Sequence, residues 1–188
     1  MAPYLRRVAG YRLPIALLRH PVRLARALIG RDVDAVKALA CGAVRGLDAS
    51  VLAREGEAFA RRAHDDWLRK DTTARLLRHR ELGHRVVLVS ASLEPYLGPL
   101  GALLGADGVV CTQLEVGSDG RATGRLAGPN CRGPEKQRRL LAWLEREGLA
   151  GAELWAYGDS AGDRELLGMA DHPHQVDGVT LPAHPADT

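Results

Sequence analysis

The sequence predicts an α/β protein in which a block built of helices alone precedes a parallel sheet with alternating helices. Three observations carry this. No strand pattern occurs before residue 85, short β-branched runs then alternate with helical patterns, and the charge balance changes sign between the two parts. Residues 1–85 hold 18 Lys and Arg against 9 Asp and Glu, net +9; residues 86–188 hold 8 against 14, net −6, and the two give the chain's +3. A basic part draws phosphorylated ligands, nucleic acid or an anionic membrane surface, and an acidic part suits a cation-binding centre. Arginines that merely solvate helix faces are the plainer account, so the decision falls to motifs.

The bounds are simple. A length of 188 residues suits one domain, or one domain carrying a sizeable insert. With 46% hydrophobic and 26% charged residues, global disorder is excluded. The apolar stretch from Leu13 to Leu18 is cut by Arg19, His20 and Pro21, far short of the ~20 residues of a transmembrane helix, and no signal-peptide pattern precedes it. Cys41, Cys111 and Cys131 include no CxxC pair, so reduced thiols and a cytoplasmic location are expected. His172 and His174 flank Pro173 without cysteines nearby and read as a surface loop, not a metal site.

Within the first block, Leu13, Leu17, Leu24 and Leu28 recur at helical spacing and Gly30 can end that stretch. Asp48 is placed to cap a helix carrying Leu52, Phe59 and Ala63, and Asp71 with Thr72 opens another that Gly83 closes. Val86 to Val89 then reads as a buried parallel strand ending at Ser90, followed by a helix through Leu97, Leu100 and Leu103. Val109 to Cys111 is a second apolar run, and residues 114–126 read as a hairpin turning at Asp119-Gly120. Pro134 suits the first turn of a helix whose apolar face is Leu140, Leu141 and Leu144. The strand Leu154 to Tyr157 runs into Gly158-Asp159.

Three patterns lie at predicted strand ends or helix starts, where open parallel sheets place ligands. Ser90 with Ala91 and Ser92 would bring a hydroxyl and backbone N–H groups to a strand-to-helix turn, as a phosphate cradle or as an ordinary N-cap. Lys136, one of only three lysines beside 23 arginines, falls in the first turn of a helix, where the dipole disfavours a cation. Something must hold it there, unless it is a surface lysine. Tyr157-Gly158-Asp159-Ser160-Ala161-Gly162-Asp163 sets two carboxylates four residues apart, which suits Mg²⁺ with water and substrate phosphate, or a helix start with a capping acid.

Taken in order, VVLVSASLEPYL (86–97), GPNCRGPEK (128–136) and YGDSAGD (157–163) resemble the second, third and fourth motifs of the haloacid dehalogenase superfamily, in its phosphoserine-phosphatase-related subfamily IB. The resemblance runs from about residue 4 to about residue 176. It implies a Rossmann-like parallel sheet with a C1-type helical cap, cap 1–80 and core 81–176 including the hairpin; the tail 177–188, with Pro182 and Pro185, reads as loose. It also implies an Mg²⁺-dependent hydrolase of small phosphomonoesters working through an aspartyl phosphate. On it Ser90 and Ala91 hold the phosphoryl group, Lys136 neutralises its charge, Asp159 ligates the metal, Ser160 supports that ligand, and Asp163 either supports it or is an additional acidic partner.

One element of the family pattern is missing. The first motif, DxDx(T/V), supplies the nucleophilic Asp and the acid–base Asp at the end of a central strand. Asp32-Val33-Asp34-Ala35-Val36 matches its letters but follows Gly30-Arg31 inside the helical block, and reads as a helix-start acid pair. The expected chain is therefore a truncated one that lacks the first central strand and is inactive by itself. Two other functions stay open. One is a non-catalytic protein that binds a phosphorylated ligand; the other is a membrane-surface or nucleic-acid module, since Arg12, Arg19, Arg23 and Arg26 border an apolar stripe. No aromatic interleaving supports nucleic acid, which is not expected as a partner.

Overall fold

The computed structural model describes residues 1–176 together with Gly178 and Leu181, so the expected tail at 177–188 lies almost wholly outside the described residues. Six helices come first: α1 (Ala2–Ala9), α2 (Arg12–Leu18), α3 (Pro21–Ile29), α4 (Val33–Cys41), α5 (Ala49–Asp66) and α6 (Lys70–Glu81). Then follow β1 (Val87–Leu93), α7 (Glu94–Leu104), β2 (Gly108–Thr112), β3 (Leu114–Val116), β4 (Ala122–Leu126), α8 (Pro134–Arg146), β5 (Trp155–Gly158), α9 (Arg164–Gly168) and β6 (His172–Gln175). The chain is α/β, with helices first and strands alternating with helices after them.

Met1–Arg62, Ser92–Leu100 and Thr112–Asn130 form one compact unit; Ala63–Ala91, Gly101–Cys111 and the described residues from Cys131 onward form the other. The division falls inside α5, and the β3–β4 hairpin groups with the N-terminal helices. The reason is local: Gly46 N donates to Ala122 O at 2.8 Å and Ala122 N to Leu47 O at 2.8 Å, so β4 bonds to the segment between α4 and α5. The turn is the expected one, with Gly120 at φ 75°.

The N-terminal unit is centred on three rings. Tyr4, Phe59 and Tyr96 lie 5.0–5.6 Å apart by centroid, and the buried Tyr4 hydroxyl donates to Leu52 O at 2.8 Å. Burial pushes the Tyr4 phenol well above its ordinary range, with Glu55 and Glu94 adding to the shift. α5 approaches the start of α7 so closely that a Cβ at Gly56 would stand 1.9 Å from Pro95 O. Two helix starts are as read, Asp48 Oδ1 accepting from Ser50 N and Asp32 capping α4 by accepting from Ala35 N at 2.9 Å, whereas α6 opens at Lys70 after Arg69 and Asp71 falls inside its first turn. The Asp32 cap settles Asp32-Val33-Asp34 as the beginning of a helix. Leu28 is 60% exposed, so the stripe drawn through Leu13, Leu17 and Leu24 does not continue onto it.

In the other unit Val110, Cys131, Leu140, Trp143, Leu144 and Leu166 make the core, joined by Val87, Val89 and Leu154. Leu103 and Leu141 point outward, and Trp143 takes the place expected of Leu141. β1 and β2 pair, and β5 and β6 pair in parallel, as separate two-stranded sheets; among the described residues no strand joins the two pairs. β1 does not stop at Val89. It runs through Ser90, Ala91 and Ser92 to Leu93, which is fully buried and anchors the extension, and Pro95 then fits the first turn of α7.

The loop expected around His172 and His174 is instead a strand. His172 N and Val176 N donate to Leu154 O and Gly158 O, alternate positions along β6, so the N–H that Pro173 lacks falls on the opposite edge. His172 stacks on Trp155 and His174 on Tyr157, at 3.9 and 4.8 Å. All three cysteines are buried free thiols, and burial raises Cys41 to about 11.

Candidate functional site

β5 delivers Gly158 at its end, and a Cβ there would lie 2.6 Å from Asp163 Cβ. Only glycine lets the chain fold back so tightly. A short 3₁₀ turn, Ala161–Asp163, follows, and Asp163 Oδ2 accepts from Ser160 N at 3.0 Å and Ser160 Oγ at 2.6 Å. The carboxylate is thereby fixed and 5% exposed.

α8 begins at Pro134 after Gly133 in the left-handed region, φ 56°, and Gly133 N donates to Gly162 O at 3.0 Å. The start of α8 is thus tied to the turn after β5. Lys136, 7% exposed, donates through Nζ to Asp163 Oδ1. A lysine against a helix N-terminus requires a compensating charge, and Asp163 is that charge. Burial alone would raise the Asp163 pKa, but the bonds from Lys136 and Ser160 outweigh it and hold the group below the ordinary carboxylate range. One residue earlier, Glu135 is held at about 2 chiefly by Arg138, with Arg139 assisting.

Lys136, Ser160 and Asp163 are therefore brought together by direct bonds. Ser90 and Ala91 lie in the same unit but half-buried inside β1, not at a strand-to-helix turn. Asp159 is exposed at the end of β5, and among the described residues it has no hydrogen bond or ion pair. None of the bonds made by Lys136, Ser160 or Asp163 reaches Ser90, Ala91 or Asp159. As for a metal, no group of three ligating side chains occurs among the described residues. The unpartnered Asp159 carboxylate fits Mg²⁺ as one ligand of a set that these residues do not complete.

Two networks escaped the sequence. Lys37 is 3% exposed and donates to Thr112 Oγ1 at 3.0 Å and Asn130 Oδ1 at 2.5 Å, while Asn130 Nδ2 donates to Asp34 Oδ1 at 2.6 Å. Its rarity among arginines was the available signal. In the other unit the Tyr157 hydroxyl accepts from Arg75 at 2.9 Å and lies 2.9 Å from His79 Nε2. Nothing in the sequence connects those three positions.

The family model of haloacid dehalogenase-like hydrolases matches residues 1–168. The chain belongs to this family. Protein CicA of Caulobacter vibrioides is 34% identical over 164 residues, covering 87% of this chain and 72% of CicA. Phosphoserine phosphatase SerB2 of Mycobacterium tuberculosis is 36% identical over 99 residues, 53% of this chain but 24% of SerB2. Among solved structures, a protein with unknown function from Bordetella pertussis Tohama I superposes with a TM-score of 0.71 at 25% identity, covering 87% of this chain and 75% of that one.

Proposed function

We propose that this chain carries most of an Mg²⁺-dependent phosphomonoester hydrolase of subfamily IB, acting in the cytoplasm on a small phosphorylated substrate. The carrying observation is the buried ion pair of Lys136 with Asp163, fixed by Ser160 at the end of β5. A cation set that rigidly at the carboxyl end of a strand can neutralise equatorial phosphoryl oxygens as charge builds there. In this reading the Ser90 hydroxyl and Ala91 N–H orient the phosphoryl group, Asp159 is the carboxylate that would hold Mg²⁺, and Asp163 with Ser160 positions Lys136. When bound, the metal supplies charge neutralisation and orientation of the phosphate.

The nucleophilic and acid–base aspartates are not among these residues in this reading, because Asp32 and Asp34 are engaged at the start of α4. The separation of β1–β2 from β5–β6 supports a central strand, bearing both aspartates, that lies outside the 188 residues. The chain by itself is then inactive. A colorimetric phosphatase assay with Mg²⁺ tests this: the chain is expected to be inert, and an in-frame upstream extension carrying a strand and DxDxT to restore turnover that Asp159→Asn abolishes. Turnover by the unextended chain that survives Asp159→Asn would overturn the scheme. An extended chain that stays inert yet binds phosphate by calorimetry would instead mark a non-catalytic phosphate-binding protein.

A further inference from the structure

Twelve large apolar residues are exposed among the described ones, and seven of them fall between Tyr11 and Val33. They are ordered. Tyr11, Ile15 and Leu18 recur at i, i+4 and i+7 along α2, at 76%, 47% and 68% exposure, and Val22 and Ile29 recur at i and i+7 along α3, at 63% and 84%. The opposite faces bury Leu13 and Ala27, so both helices are amphipathic with respect to their own unit and still show a second apolar stripe to solvent.

Beside these stripes opens a cavity of about 1050 Å³ lined by Arg19, Arg23, Arg26, Arg45, Arg121 and Arg125. Arg121 is engaged by Gly46 O and Arg125 by Glu115. The other four have no carboxylate within ion-pair distance among the described residues. The cavity's acids, Asp32 and Asp119, accept from the backbone N–H groups of Ala35 and Arg121. Arg26 also stands between Val22 and Ile29 on the helix surface, so cations and apolar side chains are interleaved.

We propose that α2, α3 and the adjoining arginine-lined cavity form a docking site for an anionic lipid surface. Guanidinium groups on long stems reach headgroup phosphates while the aliphatic side chains enter the acyl boundary, which is how interfacial helices bind. A nucleic acid would use the arginines but leave Ile15, Leu18, Val22 and Ile29 without a role, and it would call for aromatic platforms that the region lacks beyond Tyr11. A second copy would bring unneutralised arginines against their own kind. The site is independent of the phosphatase reading.

Co-sedimentation of the whole chain with phosphatidylcholine vesicles, with and without about one third phosphatidylglycerol, tests it. Binding is expected to the anionic vesicles, weakened about ten-fold or more on pure phosphatidylcholine and by raised salt. Two variants, Val22→Asp with Ile29→Asp and Arg19→Gln with Arg23→Gln and Arg26→Gln, should each lower binding about ten-fold while shifting the melting temperature by about 2 °C or less. Absence of binding, or equal binding to both vesicles, overturns the proposal. So does binding to duplex DNA that the Val22/Ile29 variant retains while it also keeps its vesicle binding, or a dimer in gel filtration that the same variant dissociates.

Discussion

Two sets of cations divide the labour in this molecule. In the unit built around α8, Lys136 is buried and paired with Asp163 of the same chain, so its ammonium is fixed beside the turn after β5. In the N-terminal unit, Arg19, Arg23, Arg26 and Arg45 line an open cavity and are answered by no acid among the described residues. A paired cation is held in position by its own chain, whereas an unpaired one keeps its guanidinium open to solvent. The contrast also separates cost from use, because a buried pair is expensive to break and exposed guanidiniums cost little to lose.

The largest expected effect is at the closed pair. Lys136→Met or Asp163→Asn leaves one buried charge unanswered and should cost about 3–5 kcal/mol in chemical denaturation. The pH dependence has a definite sign. Because the folded Asp163 pKa is depressed, its ionised form stabilises the fold above the unfolded value of about 3.9, and that contribution disappears as pH falls through the folded pKa. The stability gap between the parent and Asp163→Asn should therefore be full at pH 7 and narrow in acid. A gap independent of pH would mean that the pair does not act as an ion pair.

Next in size is Gly56→Ala, which forces a methyl against Pro95 O and should destabilise by about 1–3 kcal/mol by thermal melting. It sharpens the comparison by showing that the N-terminal unit depends on close packing where the other depends on a charge. Asp32→Ala removes the α4 cap and should cost about 1 kcal/mol, read in the same melts. Smallest is the triple change Arg19→Gln, Arg23→Gln and Arg26→Gln, expected to stay within about 0.5 kcal/mol in total, since exposed arginines without partners carry little folding energy. A large loss there would break the distinction.

Local signals were legible in the sequence wherever one residue type has one physical job. Asp48 and Asp32 at helix starts, Gly120 in the hairpin turn and Pro134 in the first turn of α8 are all found in those roles. The discomfort of a lysine in that first turn points to a missing partner, and the structure supplies it as Asp163, whose sequence context suggests only the metal side of the site. What failed was non-local. Strand propensity ends at Val89, yet β1 continues because Leu93 is buried further along. His172 and His174 read as a loop, yet they lie on a strand, where Pro173 sits with its missing N–H on the edge away from β5. Lys37, Thr112 and Asn130 are far apart in sequence, and only the folded chain brings them to one point.

The three buried thiols follow the same division of the chain. Cys41 belongs to the N-terminal unit, and Cys111 and Cys131 to the other. A thiol shielded from solvent, and in Cys41 also kept protonated, reacts with an alkylating reagent only when its surroundings open. Labelling rates followed by mass spectrometry would thus time the opening of each unit separately, making the cysteines built-in clocks that need no engineered probe.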